Sequence, residues 1–131
     1  MSDDVLRVEL VAADRLVWSG EAKMVIARTT EGDVGVLPNH APMLSLLVDG
    51  VVDVQTTDGE TWIAAVDAGF LSVANNRVSV LSEHAEMSHE IDLEKARQDL
   101  ERAQSAGEND DAANDAVRRA EARIRAVEKA N

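Results

Sequence analysis

Residues 77–103 read RVSVLSEHAEMSHEIDLEKARQDLERA, and the hydrophobic period changes inside this stretch. Val78 and Val80 alternate with Arg77 and Ser79, the two-residue repeat of a strand with one buried face. Leu93, Ala96, Leu100 and Ala103 are spaced three, four and three, the repeat of a helix with one buried stripe. The change places a boundary at 87/88: residues 1–87 read as strands and residues 88–131 as helices.

Upstream of the boundary the two-residue period recurs. Leu6, Val8 and Leu10 alternate with Arg7 and Glu9. Short apolar runs follow at Met24–Ala27, Val51–Val54, Thr61–Val66 and Phe70–Val73. Turn signals separate them. Asp58-Gly59 and Asn75-Asn76 are pairs that tolerate positive φ and suit tight hairpins, and Glu31-Gly32 and Asp49-Gly50 mark further bends. Many short strands at close spacing predict a β-sandwich, a flattened barrel of about ten strands.

Downstream, Ala113, Val117, Ala120, Ile124 and Val127 form a second helical seam. Asp92 and Asp111 are placed to cap the two helices, and residues 105–110 read as a polar turn between them. The fold class is therefore α+β, a sandwich followed by an antiparallel helical hairpin. Alanine dominates both seams and buries little area per residue, at roughly 25 cal/mol per Å². Such a hairpin fits either of two behaviours, undocking or permanent docking.

Composition narrows the function. The net charge is −12, which argues against nucleic acid and against anionic lipid surfaces as partners. Charge is uneven along the chain. Residues 1–90 hold 15 acidic and 5 basic groups, and residues 91–131 hold 10 and 8. The absence of cysteine removes disulfides, thiol catalysis and cysteine zinc sites. Met1-Ser2-Asp3-Asp4 lacks the features of a secretory signal, and no apolar run is long enough to span a membrane, so any membrane connection is expected to pass through a partner. No phosphate-loop, Gly-x-Ser-x-Gly or His-Glu-x-x-His pattern occurs. No catalytic residue and no metal site is expected; His84 and His89 lie five apart without a ligand geometry.

Glu31-Gly32-Asp33-Val34-Gly35-Val36-Leu37-Pro38-Asn39-His40-Ala41-Pro42 is the most specific segment. It resembles the signature of the epsilon subunit of bacterial and plastid F-type ATP synthases. Val17-Trp18-Ser19-Gly20, Ala68-Gly69-Phe70-Leu71 and Ile91-Asp92-Leu93-Glu94-Lys95-Ala96 resemble further family segments in order and spacing, with Ala68 where the family has glycine.

The resemblance implies a non-catalytic rotor subunit coupling gamma to the c-subunit ring. Its hairpin either folds on the sandwich or extends up along gamma to the catalytic alpha and beta subunits and inhibits ATP hydrolysis. It implies that Glu31, Asp33 and His40 belong to a loop facing the c ring. It assigns Arg118, Arg119, Arg123 and Arg125 to an inhibitory basic face. It also points to a regulatory ATP site on the folded hairpin at Glu86, Asp92, Lys95, Ala96 and Arg102, joined by Arg123 or Arg125. Lys95 stands where the family has arginine, so a point charge replaces a bidentate fork. The expected location is peripheral, on the cytoplasmic face of a bacterial plasma membrane or the stromal face of a plastid thylakoid. The rival reading is a free-standing ligand-binding sandwich with an oligomerising helical tail.

Overall fold

A computed structural model describes residues 4–107 and 110–130. Met1, Ser2, Asp3, Glu108, Asn109 and Asn131 lie outside the described residues, and with them two positions of the expected interhelical turn.

Strand β1 (Leu6–Ala12) buries Leu6, Val8, Leu10 and Ala12 and exposes Arg7 and Glu9, as the alternation requires. It pairs antiparallel with β2 (Arg15–Thr29) and parallel with β8 (Arg77–Ser82). β2 is 15 residues long and joins two segments that the sequence reading had separated. An irregularity between Ala22 and Met24 lets its second half turn to β3 (Gly32–Val36) and β5 (Gly50–Thr56). The strands among the described residues therefore number nine.

β7 (Gly69–Ala74) lies between β8 and β4 (Met43–Leu47), and β4 returns to β2, so β1, β8, β7, β4 and β2 close into a ring. β5, β6 (Thr61–Val66) and β9 (Ala85–Met87) extend the sheet from β2. The core inside is aliphatic, with Leu6, Leu10, Val25, Val36, Leu71, Val73, Val78 and Val80 fully buried. Trp18 and Trp62 pack at its margin, with ring centroids 6.4 Å apart.

Three local features explain particular residues. Asn75 and Asn76 both have positive φ (52° and 61°), the two-residue turn that matches strand twist. At the β5–β6 turn only Gly59 uses positive φ, because Thr56 holds Asp58 by a side-chain hydrogen bond within a longer loop. Gly69 is required for a different reason: a Cβ there would strike the Leu81 carbonyl, so β7 and β8 approach only because that atom is missing.

A 3₁₀ turn, Ser88–Glu90, leads to α1 (Leu93–Ser105) and α2 (Asp111–Ala130). Asp92 caps α1, accepting from the Lys95 amide at 3.1 Å. The expected cap of α2 moves by one residue. Asp110, not Asp111, accepts from the amides of Ala112 and Ala113 at 3.0 and 3.2 Å, which leaves Asp111 inside the first turn.

α2 lies on the outer face of β5 and β6, and α1 packs on α2. The alanine seam is present, but Ala122 and Ala126 are also fully buried, against Ile63 and Ala65. The seam reading omitted them because α2 has two neighbours, α1 and the sheet, and needs a wider apolar stripe than a two-helix contact. No helix among the described residues is long and apolar enough to cross a membrane.

Candidate functional site

The docked face of α2 is held by charge as well as by alanine. Arg123 is its centre. Its Nε donates to Glu86 at 2.8 Å and its Nη1 to Asp67 at 2.9 Å and to the Arg119 carbonyl at 3.1 Å. The side chains of Arg123 and Asp67 are 16% and 9% exposed. Burial pulls the guanidinium toward its neutral form. The hydrogen bonds and charges of Asp67 and Glu86 outweigh that and raise its pKa. His84 Nδ1 lies 3.3 Å from the other oxygen of Asp67. Arg118 pairs with Asp115 and reaches Asp49 at 3.8 Å, and Lys129 reaches Asp53 at 3.6 Å. The excess of acid on the sandwich is thus met by the basic side of α2. Asp53 Oδ1 is buried with no hydrogen-bond partner among the described residues, so the match is incomplete at the end of the helix.

The four arginines expected to act together are separated by role. Arg123 is buried in the interface and Arg118 is shared between two aspartates, whereas Arg119 and Arg125 make no ion pair with any described residue. The five hairpin-site residues are likewise committed elsewhere. Glu86 holds Arg123, Asp92 caps α1, and Ala96 is buried in the helix contact. Lys95 and Arg102 both turn to Asp99, at 2.9 and 3.6 Å. A phosphate on those cations would compete with Asp99.

The segment joining sandwich to hairpin is tied down at both flanks. Arg15, the first residue of β2, forms a two-pronged pair with Glu90 at 3.2 and 3.1 Å. Glu90 also accepts from the Met87 amide at 3.0 Å. The Arg15 hydrogen bond, helped by that amide, holds the Glu90 carboxyl below its ordinary pKa. His89 meets Trp62 edge-on at 5.9 Å.

Glu31, Asp33 and His40 do not share one loop. Glu31 occupies the β2–β3 turn, where its amide donates to Thr29 Oγ1 at 3.1 Å; Thr29 in turn donates to Gly32. Asp33 is exposed and 3.7 Å from Arg28. His40 lies beyond the other end of β3, in a loop clasped to the β7–β8 turn through Asn39 and Asn76. Its Nδ1–H donates to the Ala41 carbonyl at 2.7 Å. The extended strand Gly32–Val36 intervenes and sends the two groups to opposite ends of the sandwich. Among the described residues no group of three His, Cys, Asp or Glu could hold a metal ion.

One surface escaped the sequence reading. Leu44, Leu46, Phe70 and Leu81 are 72%, 52%, 47% and 44% exposed. Leu46 pairs with Phe70, Phe70 with Leu81, and Leu81 with Val11, so the apolar side chains run in one row across four strands. The signal lay in β4: Met43, Leu44, Leu46 and Leu47 are apolar on both faces, which a strand with one solvated face does not need.

Residues 5–88 match the family described as ATP synthase, Delta/Epsilon chain, beta-sandwich domain. The ATP synthase epsilon chain of Streptomyces avermitilis is 56% identical over 122 residues, covering 93% of this chain and 94% of that one. That of Corynebacterium efficiens is 46% identical over 127 residues, covering 96% and 95%. A chain in the cryo-EM structure of the Euglena gracilis mitochondrial ATP synthase (OSCP/F1/c-ring) superposes with a TM-score of 0.79 at 25% identity, over 90% of this chain and 78% of that one. A chain in the Tetrahymena thermophila central stalk and c ring shares the fold, with a TM-score of 0.59 at 15% identity over 95% of each.

Proposed function

The chain belongs to the ATP synthase epsilon-chain family, and on that premise we propose that it is a non-catalytic rotor subunit of a proton-translocating F-type enzyme. In this reading residues 1–87 couple the gamma subunit to the c-subunit ring. Residues 88–131 form a regulatory element that restrains ATP hydrolysis. The complex holds the subunit at the cytoplasmic face of a bacterial plasma membrane, in keeping with bacterial relatives.

The observation that carries the reading is the apolar row Leu46–Phe70–Leu81. Large contiguous apolar surface on a soluble chain marks a contact with another protein. Gamma is assigned to it. The exposed carboxylates Glu31 and Asp33 are assigned to basic side chains on the polar loops of the c ring, and His40 to bracing its own loop.

The hairpin supports regulation through the residues that hold it. Arg123 cannot reach the alpha and beta subunits while Asp67 and Glu86 keep it, so extension must break that pair first. Small alanine contacts and ion pairs form an interface that salt weakens and a competing acidic partner can replace.

The test is ATP hydrolysis by the cognate catalytic head stripped of this subunit, titrated with the full chain and with a form ending at Ser88. Both forms bind gamma and only the full chain slows hydrolysis if the division of labour is right. Slowing by the shortened form removes the hairpin's role, and failure of both to bind gamma removes the coupling role.

A further inference from the structure

The apolar row does not end at open solvent. Beyond Leu46 and Phe70 it runs into a groove of about 870 Å³ between the sandwich and the first half of α2. Leu46, Gly69 and Phe70 contribute its apolar part, Arg118 and Arg119 its helical wall, and Glu83 the sandwich rim.

Most charges around this groove are already matched. Arg118 is shared by Asp115 and Asp49, and Asp67 is taken by Arg123 and His84. Two are not. The Arg119 guanidinium makes no ion pair with any described residue, although the residue is only half exposed. The Glu83 carboxylate, on the opposite side, makes none either. An apolar centre flanked by one uncommitted cation and one uncommitted anion is a complementary surface still lacking its other half.

We propose that gamma seats across both parts of the subunit, on the apolar row and on the docked α2. Apolar side chains cover Leu46 and Phe70, a carboxylate meets Arg119, and a basic group meets Glu83. The inference rests on the assignment of the row to gamma and adds that the compact hairpin completes the seat. Two consequences follow from linkage. The Arg119 contact exists only with α2 docked and so favours gamma binding to that form, and by the same factor it makes bound gamma favour docking. Release of the hairpin therefore loosens one edge of the rotor contact as it frees Arg123.

The experiment measures binding of full-length variants to the purified cognate gamma at low and at physiological salt. Circular dichroism confirms that each variant is folded. Phe70→Ser tests the row and Arg119→Ala the added contact. Arg97→Ala on the exposed face of α1 removes the same single charge and controls for net charge. The expected results are loss of binding on the order of a hundredfold for Phe70→Ser and about tenfold for Arg119→Ala, mostly in the dissociation rate and smaller at high salt. Arg97→Ala binds as the parent does. In an Ala122→Glu background, where α2 cannot dock, Arg119→Ala has no further effect.

If Arg119→Ala binds as the parent while Phe70→Ser does not, the row remains the gamma seat and the hairpin is no part of it. If Arg119→Ala weakens binding equally with and without docking, the contact does not depend on the compact form and the proposal fails. If Phe70→Ser also binds normally, the assignment of the row falls, and this inference with it.

Discussion

The sandwich and the hairpin are both held by burial, yet they bury different side chains. The sandwich core is leucine and valine drawn from strands far apart in sequence, and its barrel closes on itself through β1, β2 and β8. The contact of α2 with the sheet is Ile63, Ala65, Ala122 and Ala126, ringed by the ion pairs of Arg118, Arg123 and Lys129. A buried leucine supplies about 2–3 kcal/mol of transfer free energy, and an alanine methyl well under half of that. The sandwich is therefore a fixed platform. The hairpin is an attachment in which electrostatics carries an unusual share, so conditions that leave the platform untouched can shift it.

The largest effect that would break this contrast comes from the core. Leu71 is fully buried, and Leu71→Ala should cost about 2–5 kcal/mol. The loss should appear in the denaturant midpoint of strands and helices together, because α2 has no sheet to dock on once the sandwich melts. A loss confined to the helices would reverse the roles assigned to the two parts.

The next effect concerns the ion pair. Arg123→Ala leaves Asp67 nine-tenths buried beside Glu86 without its cation, and should weaken docking by about 1–3 kcal/mol. Proteolysis within the hairpin should accelerate while the sandwich midpoint stays within error. Arg123→Lys should recover only part, since an ammonium cannot serve Asp67 and Glu86 with one planar fork. An unchanged cleavage rate in both variants would leave docking to the alanines alone.

The smallest effect is the tie between Arg15 and Glu90, which is largely solvent-exposed and correspondingly weak. The folded Glu90 carboxyl titrates below its ordinary value of 4.5. Its contribution is therefore complete above that value and is lost as pH falls through the lower, folded pKa. Protection of the Met87 amide, which donates to Glu90, should fall in that acid window and stay flat above it. Arg15→Ala should move the step up toward the ordinary carboxyl range without removing it, because the Met87 amide still donates to Glu90.

Much of the architecture could be read from period alone. The alternation at Leu6–Leu10, the paired asparagines at 75–76 and the cap at Asp92 are local features, and each appears where its spacing placed it. What escaped depends on neighbours. The fusion of two apolar runs into β2 follows from its having partners on both sides, which a window of a few residues does not contain. Ala122 and Ala126 looked like the solvent side of a two-helix seam until the sheet supplied a second face. Glu31 and His40 stand nine positions apart in one motif, but an extended strand converts that proximity into separation. Arg123 belonged to a visible basic run, whereas its partners Asp67 and Glu86 are distant in sequence. The apolar row was hidden for the same reason, since Leu46, Phe70 and Leu81 meet only through strand register.

Native-state hydrogen exchange at two salt concentrations tests the contrast most directly. The α2 amides, including those around Ala122, should exchange through an opening that leaves the amides of β1, β7 and β8 protected, and added salt should speed the first without affecting the second. Exchange of α2 only through global unfolding, with no response to salt, would contradict that contrast and make the hairpin as permanent as the barrel.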